Sequence, residues 1–330
     1  MLRATAPTRV DLAGGTLDIW PICHLLHKPG CTVNVALNRR AVVEIEGRRD
    51  DKVLLRSMDR EINVIYPADA PEHDELPLAS RLVEAIAPRQ PMTLRVRSTV
   101  PKQSGLGGSS AIAVAVGGAL TAWTGEQIDA APFLEFVQTV ETRLLGVPTG
   151  YQDYYPAVYG GVQTLTATLH GVRRAAHPAT HAMLDQTMLL VDTQLEHESG
   201  MNNWEVVRRF LDGDEHVRAC MNRINNCAYA MDEALQDGNV DRAARALRAE
   251  WEARRQLAPV VSNERVEALL AAAETAGALA GKVCGAGGGG CIVLLAHPEK
   301  HVAIEGAVTE AGGAIVDFAV DPQGLEVTPE

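Results

Sequence analysis

Aromatic residues and blocks of basic charge are scarce in this chain. Phe, Trp and Tyr make up 4% of its 330 residues, too few for the row of stacking platforms that single-strand nucleic-acid binders use. Lys and Arg number 30 against 42 Asp and Glu, so the formal net charge is −12. We therefore expect no broad surface for nucleic acid or an anionic membrane. A local basic pocket for a small anion is compatible with this composition.

Long apolar runs and paired cysteines are also missing from the sequence. No apolar run approaches 18 residues, and Arg3, Arg9 and Asp11 interrupt the place where a signal peptide would have its apolar core. We therefore expect a cytoplasmic protein. The six cysteines form no C-x-x-C pair, and we expect them to be reduced core thiols. The remaining composition is that of a globular protein, and its length predicts about two domains.

Residue periodicity predicts a sheet-rich N-terminal part and an α+β C-terminal part. A composition change at residues 171–182 predicts a linker between them. The expected elements are strands at 2–7, 32–48, 52–57 and 92–100, helices at 111–125 and 131–145, a strand at 188–194, helices at 217–235, 241–257 and 263–276, and a strand after residue 290.

Glycine is concentrated in three loops, and the second of them resembles a phosphate cradle. Residues 101–110 read PKQSGLGGSS and come directly before the predicted small-residue helix. Several backbone N–H groups and the positive end of a helix can face one anion in such a loop. The P-loop pattern G-x-x-x-x-G-K-[ST] is absent from it. A tight strand-to-helix turn with a serine cap is the structural alternative.

The third glycine loop, residues 285–290, spells G-x-G-x-x-G and raises the alternative of a dinucleotide-binding oxidoreductase. That fingerprint belongs between a strand and a helix, whereas here a helix is expected before the loop and the apolar strand CIVLLA after it. Only 40 residues follow Gly290, too few for a nucleotide-binding sheet. We therefore expect close approach of another element or a ligand to this backbone.

Taken together and in this order, the three loops resemble the signatures of the GHMP family of small-molecule kinases. The matching segments are APTRVDLAGGTLD at 6–18, PKQSGLGGSSAIA at 101–113 and KVCGAGGGGC at 282–291. The resemblance implies an α+β fold of two domains. An N-terminal α/β domain with a mixed sheet would span residues 1–175, and a ferredoxin-like C-terminal domain would span 176–330, with ATP and substrate in the crevice between them.

The resemblance also implies catalytic and metal-binding residues. Asp153 would be the general base, and Arg9 would lie near the reacting hydroxyl. Ser109 and Glu141 would ligate Mg²⁺, and Ser110 is the alternative to Ser109 as the serine ligand. The ATP-binding residues would be Pro101, Ser104, Gly105, Leu106, Gly107, Gly108, Ser109 and Ser110.

Substrate contacts are implied in the first and third loops. Each proposed residue also has a structural alternative: Asp18 as a turn or cap residue, Glu141 on a solvated helix face, and Arg9 as an ordinary ion-pair partner. The implied substrate-binding residues are Gly15, Thr16, Asp18, Gly285, Gly287, Gly288 and Gly289.

The function expected from the resemblance is transfer of the γ-phosphate of ATP to a hydroxyl, the anomeric one, of a monosaccharide or sugar acid. The first loop lacks the Glu-His of galactokinases and is similar to that of heptose 7-phosphate kinases and fucokinases, whereas the second is also similar to glucuronokinases. One alternative is D-glycero-D-manno-heptose 7-phosphate kinase, with Arg39, Arg40 and Lys102 as candidates for the existing phosphate. Another is a sensor that binds sugar and nucleotide without turnover.

A further polar cluster lies in the sequence HESGMNNWE. His197, Ser199, Asn202 and Asn203 are suited to hydroxyl recognition, but a capped loop before a helix at Trp204 explains them equally well. The expected partners are a small-molecule sugar and ATP, with neither nucleic acid nor membrane, and the chain is expected to be a monomer or a homodimer.

Overall fold

The fold of the chain is described from a computed structural model, over residues 1–69, 75–101, 103–195 and 199–329, without the side chains of residues 199–202. Twelve strands lie in these ranges and form two sheets. The strands are β1 (Leu2–Ala13), β2 (Cys31–Gly47), β3 (Lys52–Ser57), β4 (Ile62–Pro67), β5 (Met92–Ser98), β6 (Val162–Thr168), β7 (Gly171–Ala176), β8 (Met188–Asp192), β9 (Ala280–Val283), β10 (Cys291–Leu295), β11 (Ala314–Ile315) and β12 (Glu326–Pro329).

Eleven α-helices lie in the same described ranges, and the short 3-10 turn Tyr151–Asp153 precedes one of them. The helices are α1 (Ile22–Leu25), α2 (Pro77–Ile86), α3 (Gly108–Trp123), α4 (Ala130–Leu145), α5 (Tyr154–Tyr159), α6 (His181–Thr187), α7 (Ser199–Leu211), α8 (Glu215–Gln236), α9 (Val240–Arg254), α10 (Glu264–Thr275) and α11 (His301–Glu310).

The first sheet is mixed, as the family resemblance implied. Its main order is β12-β1-β2-β5-β3-β4, and β6 pairs with both β2 and β7. Only β3 and β5 run parallel among the described pairs. The long β2 pairs with β5 through Ala41–Gly47 and with β6 through Cys31–Val35. Strand β2 therefore lies between β1, which carries the first glycine loop at its end, and β6, which follows Asp153 in the chain.

Helix α3 is buried against β1 and β2 because its residues are small. Ala, Val and Gly fill its inner faces, and a Cβ at Gly117 would lie 3.1 Å from Phe133 of α4. Close packing of this kind is the environment predicted for a small-residue helix. The second glycine loop therefore opens onto a helix whose position is fixed by the core.

The second sheet has the order β11-β8-β10-β9, and every pair in it is antiparallel. With α11 between β10 and β11, this is the ferredoxin-like arrangement that the resemblance implied. Helices α8, α9 and α10 begin within two residues of their predicted starts, and Asn263 caps α10 by accepting the Val266 N–H at 3.0 Å. Helix α9 ends at Arg254, three residues earlier than predicted.

Two local predictions are wrong. Residues 171–176, expected in a linker, form β7, which pairs with β6 along its whole length. The third glycine loop follows the strand β9 rather than a helix, so it joins two antiparallel strands of a hairpin. Strands β7 and β9 are both short, so their residue alternation is too brief to be recognised in the sequence. The domain division after residue 175 stays a prediction, and β12 returns to pair with β1.

An apolar cluster joins the two sheets. It includes Val10 and Leu12 of β1, Met188 and Leu190 of β8, and Ala228 of α8, all buried. The halves therefore share part of one core, and the loops at the end of β1 lie against the C-terminal half. No helix within the described part of the chain combines the length and apolarity needed to cross a membrane.

Candidate active site

Arg9 connects the predicted catalytic carboxylate to the second glycine loop. Its guanidinium donates to Asp153 Oδ1 from Nε at 2.7 Å and also from Nη2. Its Nη1 donates to the carbonyl oxygen of Gly105 at 2.5 Å, and its backbone N–H donates to Leu106 O at 2.9 Å. Arg9 is buried, whereas the Asp153 side chain is 27% exposed. The structure therefore brings together a fixed cation, an accessible carboxylate and the loop before α3.

The second glycine loop presents main chain rather than side chains. Gly105 has φ +73°, and a Cβ on it would lie 2.5 Å from Cys284 O, so this position requires glycine. Gly107, also in the left-handed region, lies just before α3, and Leu106 is fully buried. The free N–H groups at the start of a 16-residue helix make an anion-binding end. Pro101 is exposed before the loop, and Ser104 is buried.

Glu141 and three hydroxyl groups form a polar cluster beside this helix end. Its carboxylate accepts from Ser109 Oγ at 2.5 Å, from Ser110 Oγ at 2.9 Å and from the Tyr154 hydroxyl at 2.7 Å. Burial raises the pKa of Glu141, although the three hydrogen bonds oppose that rise. Glu141 is therefore not on a solvated helix face, and Ser109 is the exposed member of the cluster.

The residues of this cluster fit a magnesium ion. Carboxylate and hydroxyl oxygens are hard donors, and Mg²⁺ in phosphate-binding sites is held by one or two protein oxygens together with substrate phosphates. Ser109 and Glu141 supply such oxygens at the start of α3, and Ser110 faces the same carboxylate. No cluster of three or more His, Cys, Asp or Glu side chains able to bind metal occurs in the described ranges.

Asp18 is buried with one oxygen unpaired. Its Oδ2 accepts the Gln152 backbone N–H at 2.7 Å, while Oδ1 has no hydrogen-bond partner among the described residues. Burial raises the pKa of Asp18 to about 7, with the Gln152 N–H acting in the opposite direction. The nearby Tyr151 hydroxyl is also buried and without a partner in the described chain. Unpaired buried polar atoms of this kind are suited to a ligand's hydroxyl groups.

Thr16 joins the first glycine loop to the C-terminal half. It has φ +77°, a conformation uncommon for a residue other than glycine, and its hydroxyl donates to Asn203 Oδ1 at 3.1 Å. Asn203 lies inside α7, so the predicted capped loop before Trp204 is wrong. His197 and the side chains of Ser199 and Asn202 lie outside the described residues.

The third glycine loop packs against two other segments. A Cβ on Gly285 would lie 3.2 Å from the Gly105 backbone, and a Cβ on Gly287 would lie 2.6 Å from Val261 O. The Gly288 N–H donates to Val261 O at 2.8 Å, and the Cys291 N–H donates to Ser104 O at 2.8 Å. Close approach therefore accounts for these glycines, and the loop lies directly behind the second glycine loop. The substrate contacts of Gly285, Gly287, Gly288 and Gly289 stay predictions.

Sequence reasoning missed four buried charged residues behind the first and third loops. Lys282 Nζ lies 2.6 Å from Asp11 Oδ2 and 3.3 Å from Glu250 Oε1, and Arg254 donates to the same Glu250 oxygen at 2.8 and 2.7 Å. Burial opposes the charge on Asp11, but Lys282, Arg9 and Arg254 outweigh it and lower its pKa. The available signal was Asp11 itself, a charge between the apolar Val10 and Leu12 in a buried strand.

The basic residues suggested for a second phosphate are engaged elsewhere. Arg40 pairs with Asp321 at 2.6 Å and donates to Gly324 O at 2.5 Å. Arg39 donates to Asp317 O at 2.6 Å. Both arginines hold the segment that leads into β12. Lys102 lies outside the described residues.

Comparison with known proteins identifies the family. The model of the GHMP kinases N terminal domain matches residues 77–161, and the GHMP kinases C terminal model matches residues 231–314. The chain belongs to the GHMP kinase family, as the three glycine loops predicted.

Individual relatives and structures agree with this assignment. The chain is 26% identical over 338 residues, 98% of each chain, to a D-glycero-alpha-D-manno-heptose 7-phosphate kinase of Campylobacter jejuni. It is 25% identical to a galactokinase of Mycobacterium tuberculosis over 331 residues, 89% of each chain. A crystal structure of a D-glycero-D-manno-heptose 1-phosphate kinase from Bacteroides thetaiotaomicron superposes with a TM-score of 0.80 at 22% identity, covering 100% of this chain and 99% of that one. The predicted fold class is thereby confirmed.

Proposed function

We propose that this chain transfers the γ-phosphate of ATP to a hydroxyl group, the anomeric one, of a monosaccharide or sugar acid. One observation carries the proposal: Arg9 contacts both the Asp153 carboxylate and the carbonyl of Gly105. Arg9 thus holds a carboxylate that could accept a proton next to a loop whose backbone is suited to bind phosphate. Phosphoryl transfer depends mainly on such alignment and on charge stabilisation.

The phosphate side of the reaction is assigned to residues 104–110. Backbone N–H groups at the start of α3 would hold the β- and γ-phosphates, and the helix end favours their negative charge. Ser109 and Glu141 would hold Mg²⁺, which supplies neutralisation of the phosphate charge when bound. Their hydrogen bond at 2.5 Å keeps both oxygens at the same end of the helix.

Asp153 is assigned the acceptor hydroxyl. A carboxylate is a much weaker base than an alkoxide, so Asp153 orients the hydroxyl first and accepts its proton late, as the bond to phosphorus forms. Arg9 is permanently charged, and it restrains Asp153 while favouring the developing negative charge on the acceptor oxygen. Asp18, with a free Oδ1, would bind another hydroxyl of the same sugar.

A second candidate is the phosphorylation of a heptose 7-phosphate. The Campylobacter jejuni relative, similar over 98% of both chains, favours it. The sensor alternative is less well supported, because Asp153, Glu141 and Ser109 are all present and clustered. The oxidoreductase alternative is disfavoured by the hairpin position of the third loop, which has no helix after it.

The test is a substrate panel with purified protein and Mg-ATP. Hexoses, uronic acids and heptose phosphates are supplied in turn, ADP release is followed, and the position of the new phosphate is read by NMR. We expect turnover with at least one free sugar and a phosphate on the anomeric oxygen. Preference for heptose 7-phosphate would favour the second candidate. Binding of ATP and sugar without ADP release across the panel would favour the sensor.

A further inference from the structure

We infer that Asp11, Glu250, Arg254 and Lys282, here called the buried charge cluster, position the acceptor-binding loops across the interface of the two halves. The inference rests on the proposed function. It concerns positioning residues, since these side chains lie behind the loops. Their role is argued from what they hold and from where they come in the chain.

The cluster is neutral and sealed from solvent. The ion-paired side chains of Asp11, Glu250 and Lys282 are 0% exposed, and that of Arg254 is 2% exposed. Two acids face two bases, and one oxygen, Glu250 Oε1, accepts from both Lys282 and Arg254. The other oxygen, Oε2, has no partner among the described residues. The cations alone therefore fix the Glu250 carboxylate.

Two members of the cluster hold main-chain atoms of different loops. Arg254 Nη2 donates to Gly15 O at 2.7 Å, in the loop that leads to Thr16 and Asp18. Asp11 Oδ1 accepts the Gly285 N–H at 2.8 Å, the first residue of the third loop. The first loop follows β1 of the N-terminal half, whereas Arg254 and Gly285 belong to α9 and the β9–β10 hairpin. The cluster therefore sets the distance between the two loops.

Stability alone gives no reason for charges at this place. Replacing a buried ion pair by apolar side chains of similar volume is often neutral or stabilising. Apolar side chains would leave the Gly15 carbonyl and the Gly285 N–H without these partners. The contribution specific to the charged residues is thus the geometry of the two loops, and reacting groups are sensitive to displacements of about 1 Å.

The phosphate loop has separate anchors. Leu106 O accepts from the Arg9 backbone N–H, and Ser104 O accepts from the Cys291 N–H. Arg254 contacts neither residue. Loosening Arg254 should therefore disturb binding of the acceptor sugar much more than binding of ATP, and this split separates positioning from a general loss of folding.

The experiment compares Arg254→Lys with Arg255→Lys. Lysine keeps the positive charge beside Glu250 but lacks a second nitrogen that could donate a hydrogen bond to Gly15 O. Arg255 is the next residue, half exposed and 3.6 Å from Glu267, so it is a matched control. We expect Arg254→Lys to raise the KM for the acceptor sugar by about tenfold and to leave the KM for ATP within about twofold of the wild-type value. Arg255→Lys should change neither constant.

A readout independent of turnover is hydrogen–deuterium exchange. Peptides covering residues 12–20 should exchange faster in Arg254→Lys, while peptides covering α2 stay unchanged. If Arg254→Lys does not fold, the double variant Glu250→Gln with Arg254→Met, which removes one charge of each sign, takes its place with the same expected changes.

Unchanged acceptor KM and unchanged exchange in a folded variant would overturn the inference, as would an equal rise in both KM values. If the wild-type protein turns over no sugar, the proposed function fails instead, and faster exchange around Gly15 would still support the positioning role.

Discussion

The phosphate loop and the acceptor side of this site differ in how far apart their parts lie in the sequence. Residues 104–110 would form the proposed phosphate loop by themselves, from consecutive main-chain groups. The proposed acceptor side draws on Asp18, Asp153, Asn203 and Arg254, which come from the loop after β1, the turn before α5, and helices α7 and α9. A local loop can be recognised as a motif, whereas a site assembled from distant segments has to be inferred from contacts.

The two sides also differ in burial. Ser109 is exposed near the start of its helix, whereas Asp18 and the buried charge cluster are almost sealed from solvent. Substitutions should therefore separate the two: changes on the phosphate side alter use of Mg-ATP, and changes on the acceptor side alter the chemical step and sugar binding. Two predictions test this separation, and two more test the close packing and the burial that distinguish the two sides.

The largest effect is expected from Asp153→Asn. Asparagine can still accept a hydrogen bond from Arg9, so the geometry is kept while the proton acceptor is lost. We expect kcat to fall by about 10² or more, with little change in the Kd for ATP measured by calorimetry. The exposed Asp129→Asn is the control. Normal turnover by Asp153→Asn would remove this carboxylate from the mechanism.

Glu141→Gln should act on the phosphate side. The neutral amide keeps hydrogen-bonding capacity toward Ser110 and Tyr154 but is a poorer ligand for a hard cation. We expect about tenfold more Mg²⁺ for half-maximal rate, with the KM for the sugar nearly unchanged. Glu135→Gln, at an exposed position of the same helix, should match the wild-type protein. An unaltered Mg²⁺ requirement would remove Glu141 as a ligand.

Gly105→Ala tests the close approach of the phosphate loop to the hairpin. A Cβ there meets Cys284 O at 2.5 Å in addition to the strain of φ +73°. We expect the free energy of unfolding in urea to fall by about 2 kcal/mol or more and the KM for ATP to rise. Gly125→Ala has φ +81° with open space around it, so it should lose only about 1 kcal/mol from backbone strain. Equal losses would show that the contact is relieved by a small shift.

The smallest effect concerns pH. Because burial raises the pKa of Asp18 to about 7 from its ordinary value of 3.8, the folded state holds more protons than the unfolded state between these values. The stabilisation that Asp18 contributes through this extra proton is complete below pH 3.8 and is lost as pH rises through about 7. Asp18→Asn should therefore gain stability relative to the wild-type protein as the pH rises from 5 to 8. Urea titrations at several pH values measure this, and a constant difference would contradict it.

The fold and the phosphate side of the site could be predicted from the sequence because the residue patterns that indicate them are local. The glycine spacing, the small-residue helix and the apolar strands each lie within one short segment. Glu141 was placed by family resemblance, and the structure adds that Ser109, Ser110 and Tyr154 all donate to it.

The remaining features depend on partners far away in the chain. Asp11 and Lys282 are separated by 271 residues, and no periodicity relates them. The edge strand β7 is almost wholly exposed, so it lacks the apolar alternation that marks a strand. The short β9 is fully buried, and it was missed for a different reason: its residues merge with the glycine loop that follows.

The pairing of β12 with β1 has a consequence for how the molecule is made. Leu2 pairs with Pro329 and Thr5 with Glu326, so the strand that carries Arg9 has one edge uncovered during ribosomal synthesis until residue 329 has emerged. A nascent chain can complete the ferredoxin-like sheet earlier, because β11 ends at Ile315. The half that contains β1 and the second glycine loop, although translated first, is then the last to be closed.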